Sequence, residues 1–216
     1  MTRRLTRLPF GDRAEAGRLL GRALRDRADG EVVVIGLPRG GVVVAREVAD
    51  ALRAPLDVIV VRKLGAPSRP EYAVGAIAFG GVRVVDEDAL RALGVTPAAL
   101  AAVESVERAE LERQVLRYRG DRPPLDLTGR VALIVDDGVA TGATAIAAAR
   151  VTRAAGATRV VVATPVAAPG WRERLGGEAD VLVALAEPEP FGAVGRFYRR
   201  FVATTDDEVV RALRRP

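Results

Sequence analysis

Two adjacent carboxylates, Asp136 and Asp137, end an apolar run and precede a loop of small residues, Gly138-Val139-Ala140-Thr141-Gly142-Ala143-Thr144. An alanine-rich helical stretch opens directly from that loop. Amides and hydroxyls at a helix N-terminus can hold a phosphate, and the small residues 140–144 leave those amides bare. At a strand end the backbone turns, so both carboxylates can reach vicinal hydroxyls of a ribose. The chemistry implied is the grip of a phosphorylated sugar. Compensation of helix charge would by itself account for the acids, but not for the run of small residues. Neither GxGxxG nor GxxxxGK[ST] is present, so the dinucleotide and P-loop motifs do not apply.

Two further clusters carry charge suited to phosphates. Gly36-Leu37-Pro38-Arg39-Gly40-Gly41 lies between a predicted strand and helix, with one cation beside a glycine pair. Amides there can face a pyrophosphate, although glycines also mark ordinary strand–helix turns. Arg62-Lys63 closes a second predicted strand just ahead of a glycine- and proline-rich segment. Of 33 basic residues all but one are arginine, and the exception is Lys63. A compact ammonium on a flexible stem is not interchangeable with arginine, which marks Lys63 as a candidate functional group.

The elements that must position these residues follow from periodicity and turn signals. Asp12-Arg13-Ala14-Glu15 reads as a capping box opening an N-terminal helix over 12–27. Residues 31–35 form a short, wholly buried type of strand, 42–52 a helix, and 55–62 a second strand. Residues 64–71 hold two prolines and a glycine and read as a mobile loop. Residues 72–79 and 82–85 read as strands joined at Gly80-Gly81. A long helix is predicted over 96–119, with Thr96 as cap and Pro97 in its first turn, and with a solvated second half. Then come the strand before Asp136, a helix over 143–155, a strand over 159–164, a helix–strand pair over 170–185, and a last helix from about 205. This alternation predicts an α/β fold with a parallel twisted sheet flanked by helices. Ligands in such sheets bind beyond the carboxyl ends of the strands. The chain is expected to form one domain over 1–216, with a core at about 30–186 and a C-terminal element at about 187–216.

Composition narrows the function classes. The chain has no histidine and no cysteine, which excludes Ser–His hydrolysis, imidazole-ligated zinc and thiolate metal sites. The lack of cysteine fits the cytoplasm. Met1-Thr2-Arg3-Arg4-Leu5 leads to no apolar segment with a cleavage site, and no apolar run is long enough to span a bilayer. Neither a signal peptide nor a membrane partner is therefore expected. The formal charge is +5, but the arginines are interspersed with acids, so a nucleic-acid partner is not expected.

The segment Leu133–Thr144 resembles the signature of the type I phosphoribosyltransferases: four apolar residues, two acids, then a small threonine- and glycine-rich loop. The resemblance implies that Asp136 and Asp137 bind the ribose hydroxyls of phosphoribosyl pyrophosphate. Ala140, Thr141, Gly142, Ala143 and Thr144 would then hold its 5-phosphate. Ala143 stands where the family often has glycine or threonine. Pro38-Arg39-Gly40-Gly41 is similar to the family's pyrophosphate loop, a basic residue followed by two glycines. Arg62-Lys63 resembles the basic pair of the orotate enzymes, without their further lysine and their histidine, which argues against orotate specificity. Residues 190–207 would be the hood that covers the acceptor, with Phe191, Phe197, Tyr198 and Phe201 as candidates to stack on it. The segments GLPRGG, VRKLGAP, VDDGVATGAT and PEPFGAVGRFYRRF are similar in order and spacing to a little-characterised bacterial group named as phosphoribosyltransferases.

The implied fold is the type I phosphoribosyltransferase fold, with a hairpin and flexible-loop insertion and a small hood. The implied reaction moves the 5-phosphoribosyl group to a small nitrogenous acceptor, a nucleobase by expectation, and releases pyrophosphate. Lys63 and Asp137 are the candidate catalytic residues, and Pro38, Arg39, Gly40, Gly41, Arg62 and Lys63 the pyrophosphate-binding set. Magnesium would be held mainly through the substrate phosphates, with no direct protein ligand expected. A homodimer is compatible with the family. The alternative is a regulatory module that binds the same donor without turning it over.

Overall fold

The computed structural model describes residues 8–25, 30–120, 122 and 125–214. The N-terminal pentapeptide, the end of the expected first helix and the last two residues of the expected hood lie outside them. The elements run α1 (Arg13–Leu24), β1 (Val32–Gly36), α2 (Gly40–Leu52), β2 (Leu56–Val58), β3 (Val61–Ala66), β4 (Arg69–Ala78) and β5 (Arg83–Val85). They continue α3 (Glu87–Ala92), α4 (Pro97–Arg119), β6 (Val131–Val135), α5 (Ala143–Ala154), β7 (Arg159–Val166), α6 (Trp171–Arg174), β8 (Val181–Ala186) and α7 (Asp206–Arg214).

Five parallel strands form the main sheet in the order β2-β1-β6-β7-β8. The strands are apolar at nearly every position because both faces are covered. Val33, Ile35, Ala132 and Ile134 pack with Ala145, Ala148 and Ala149 of α5 and with Trp171. Val34, Leu133 and Val135 alternate to the other face and meet Leu20 and Leu24 of α1 and Val44 and Val48 of α2. α1 lies close on α2 because a Cβ at Gly17 would fall 2.7 Å from the Val44 carbonyl oxygen, and one at Gly21 would fall 2.6 Å from Ala51 Cβ. β1 and β6 are neighbours in register, Gly36 beside Val135. From β1 the chain moves outward to β2, and from β6 it moves the other way to β7. The strand order therefore reverses between them, and it is at the carboxyl ends of strands at such a switch point that parallel sheets form a ligand crevice.

Two sequence expectations differ from the structure in this region. The apolar run 55–62 is two strands: β2 in the main sheet, and the start of β3 in a separate antiparallel sheet of order β3-β4-β5. Continuous apolarity hides the break, because Ile59 and Val60 between the strands are themselves buried. The segment 64–71 is the tip of the β3–β4 hairpin rather than a loop between elements. Register shifts around Leu64, Gly65 and Ala66 absorb its glycine and prolines. The pairing of β4 with β5 matches the expected hairpin at Gly80-Gly81. α3, capped by Asp86, is an addition. The helix of the 170–185 pair is a single turn.

Candidate functional site

The two phosphate-type loops meet in the crevice. A Cβ at Gly40 would lie 2.0 Å from Asp137 Oδ2, and one at Gly41 would lie 2.8 Å from the Val135 carbonyl and 2.9 Å from Asp136 Cα. Only glycines let the start of α2 press against the carboxylate pair at the end of β6. Two motifs almost a hundred residues apart in sequence thus form one wall.

The helices that start here differ from the others. Asp12, Asp86 and Thr96 accept hydrogen bonds from first-turn amides of α1, α3 and α4, and Thr205 does so for α7. α2 and α5 have no side-chain cap and no acid in the first turn. (The four-residue α6 also lacks a side-chain cap.) Uncapped amides at a positive helix end can hold an anion, and two such helix ends stand beside Asp136 and Asp137. The α5 cap position is Gly142 at φ 88°, in the left-handed region glycine favours.

The carboxylates have distinct environments. Asp136 accepts from the Asp137 N–H at 2.8 Å. Burial, and then the charge of Asp137, push its carboxyl well above the ordinary value. Asp137 is paired with Arg13, whose Nε donates to Oδ2 at 2.7 Å; the two side chains are only 12% and 16% exposed. Arg13 Nη1 also donates to the Val202 carbonyl at 2.7 Å, and the guanidinium lies 3.9 Å from the centre of the Phe201 ring. One side chain of α1 therefore joins the acid pair to the C-terminal segment. Tyr198 adds a second tie, its hydroxyl donating to the Asp137 carbonyl at 2.5 Å. Burial and the Asp137 charge raise the Tyr198 hydroxyl far above its usual range, so it stays a neutral donor.

The expected hood aromatics are mostly packing. Phe191 and Phe197 pair at 5.2 Å, and buried Tyr198 packs on Phe10 at 5.5 Å. Phe201 is the exposed one, at 39%. Arg39 is half-exposed and lies 3.7 Å from Asp206 at the start of α7. The same carboxylate accepts from the Tyr118 hydroxyl at 2.6 Å. That bond, with Arg113 and Arg39 nearby, holds Asp206 below the usual carboxylate range.

The two residues of the basic pair on β3 do not share a face. Adjacent strand residues point to opposite faces, and Arg62 is ion-paired with Glu107 of α4 at 2.7 Å. Lys63 is exposed and shares its strand face with Val61, which packs on the cluster containing α5 residues. Arg13, Arg174 and Asp206 are the side chains that residue patterns did not single out. Arg13 was visible only as the first residue after a helix cap. Arg174 donates to the carbonyls of Ala140 and Thr141 in the small-residue loop. Among the described residues no group of three metal-ligating side chains converges, and no helix is long and apolar enough to cross a membrane.

The phosphoribosyl transferase domain model matches residues 13–184, from Arg13 through the acid pair to β8. The chain belongs to the phosphoribosyl transferase domain family. Within that family it is 53% identical over 206 residues to a Mycobacterium tuberculosis protein named "Putative phosphoribosyl transferase Rv0571c". The match covers 95% of this chain and 46% of that protein, so the chain spans about half the length of its curated relative. The crystal structure of TT1426 from Thermus thermophilus superimposes with a TM-score of 0.81 at 46% identity, covering 95% of this chain and 98% of that one. The parallel five-stranded sheet flanked by helices is thus the phosphoribosyl transferase fold.

Proposed function

We propose that this chain transfers the 5-phosphoribosyl group of phosphoribosyl pyrophosphate to a nitrogen acceptor, a nucleobase, with release of pyrophosphate. The observation that carries the reading is the convergence of two uncapped, acid-free helix N-termini on one carboxylate pair. A donor with phosphate groups at both ends of a ribose needs that arrangement: an anion cradle at each end and hydroxyl acceptors between.

In this reading residues 140–144 hold the 5-phosphate, and Asp136 and Asp137 accept from the ribose hydroxyls. Pro38, Arg39, Gly40 and Gly41 face the pyrophosphate, with Arg62 and Lys63 on the hairpin that would approach it. The Arg13–Asp137 pair and the raised Asp136 lower the negative charge that a polyanionic donor must approach. The C1–oxygen bond to pyrophosphate breaks, a C1–nitrogen bond forms, and the acceptor's proton leaves to a base, for which Asp137 is the candidate. Negative charge builds on the leaving group, so the chain contributes positioning and cations more than a nucleophile. Two carboxylates, one biased toward its protonated form, do not make a protein cage for a divalent ion. They fit magnesium carried on donor oxygens, where it would neutralise pyrophosphate. An acceptor bound under residues 190–207, a homodimer and a cytoplasmic location complete the proposal.

The test is pyrophosphate release from donor and magnesium against a panel of purines, pyrimidines and amides. Release that depends on one acceptor is expected, with Lys63→Ala lowering kcat by about tenfold or more. Undiminished kcat in that variant removes Lys63 from the mechanism. Donor binding without release for any acceptor would overturn transfer and leave a donor-binding regulatory module.

A further inference from the structure

The small-residue loop rests on the end of β7 and the segment that follows it. Val139 N–H donates to the Val166 carbonyl at 2.9 Å, and Ala168 N–H donates to the Val139 carbonyl at 2.8 Å. Gly142 lies against Leu175, whose Cδ1 would be 2.3 Å from a Cβ at 142. Trp171, fully buried, anchors the turn that carries both Arg174 and Leu175. Between these two fixed points stands a guanidinium. Arg174 Nη2 donates to the carbonyls of Ala140 at 2.9 Å and Pro169 at 3.1 Å, and its Nε donates to that of Thr141 at 3.2 Å.

That contact dictates which way the loop amides point. The peptides from 140 to 142 are trans, because the cis bonds among the described residues lie elsewhere. In a planar trans peptide the N–H points opposite to the C=O. With the carbonyls of Ala140 and Thr141 turned onto Arg174, the N–H groups of Thr141 and Gly142 are turned away from it. Among the described residues neither N–H has a hydrogen-bond partner. An arginine is suited to this task because its planar fork spans neighbouring carbonyls, whereas lysine offers one point charge.

We propose that Arg174 is a positioning residue that aims the Thr141 and Gly142 amides at the 5-phosphate of the donor. The proposal rests on the reading that residues 140–144 hold that phosphate. Arg174 touches the backbone behind the site and not the reacting atoms. It therefore sets affinity for the phosphate end of the donor and leaves the leaving-group end alone.

Isothermal titration of wild type, Arg174→Ala, Arg174→Gln and Arg174→Lys with ribose 5-phosphate, and separately with magnesium pyrophosphate, tests this. Thermal unfolding of each variant identifies those that remain folded. The expected result is a loss of about 10- to 100-fold in ribose 5-phosphate affinity for Ala and Gln, the range seen when supporting groups misplace a site. Lys should recover part of that loss, and pyrophosphate affinity should stay within about twofold. In turnover the donor KM rises while kcat holds. Unchanged ribose 5-phosphate affinity in the folded variants overturns the role of Arg174, as does an equal loss for both ligands. If wild type itself binds neither ligand, the donor-site reading falls, and this proposal with it.

Discussion

Replacing Arg13 by Met keeps much of the side chain's bulk and removes its charge. The structure sets the size of the effect. Arg13 and Asp137 form a 2.7 Å pair, and both side chains are largely shielded from solvent. Removing one partner of a buried pair costs about 3–5 kcal/mol, because it strands the other charge. Residual exposure brings this toward the lower end. The bond to the Val202 carbonyl adds about 1 kcal/mol, and the Phe201 ring contact about 0.5–1 kcal/mol. A loss of about 4.5–5 kcal/mol in unfolding free energy near pH 8 follows. The stranded charge sits beside Asp136, whose carboxyl is already raised by burial and by its neighbour. Protonation of Asp136, whose carboxyl is raised, relieves the repulsion, so the loss should shrink as pH falls toward the ordinary carboxylate range. Urea denaturation of wild type and Arg13→Met near pH 8 and near pH 5 measures both quantities. Adding Asp137→Asn should restore most of the stability, since the two residues share one interaction. A loss under about 0.5 kcal/mol that is the same at both pH values would refute the reasoning.

Two further outcomes follow from the same crevice. Gly41→Ala places a methyl against the backbone of β6, which cannot yield. Overpacking of about 1–3 kcal/mol should lower donor affinity by at least about fivefold in a titration with phosphoribosyl pyrophosphate. Asp136→Asn removes a group that binds its proton more tightly folded than unfolded. The stability that group contributes is present below the ordinary carboxylate value and is lost as pH rises through the raised one. The variant should therefore be more stable than wild type near pH 8, with the gap closing toward about pH 4, in urea denaturation across that range.

The layout of the candidate site is legible in the sequence where it is local. Strand, acids, small-residue loop and helix are contiguous from Val131 to Ala154, and each residue type there answers a nearby requirement. The same holds for Arg39-Gly40-Gly41, where glycine is demanded by a close approach. Side chains that act on the site from a distance were not legible. Arg13 and Asp137 are 124 positions apart, and only the docking of α1 on α2 makes them neighbours. Arg174 stands on a helix of one turn, too short for a periodicity to register. The break between β2 and β3 is hidden for the converse reason: Ile59 and Val60, which lie in it, are themselves buried and apolar, so the run looks like one strand. The glycine- and proline-rich segment 64–71 suggested a loop because its composition is that of loops, while the register shifts that fit it into a hairpin are a property of the paired strand. The aromatic residues of the tail stand together in the sequence. The tail's use as an anchor for Arg13 and for the Asp137 carbonyl depends on contacts across the whole chain.

The central claim is that the crevice between β1 and β6 holds both ends of a phosphoribosyl pyrophosphate molecule around the Asp136–Asp137 pair. Isothermal titration of the purified chain with that compound and magnesium tests it most directly, alongside Asp136→Ala/Asp137→Ala. The account predicts one donor bound per chain, with binding abolished in the double variant. Absence of binding by the wild type, or equal affinity in the double variant, would contradict it.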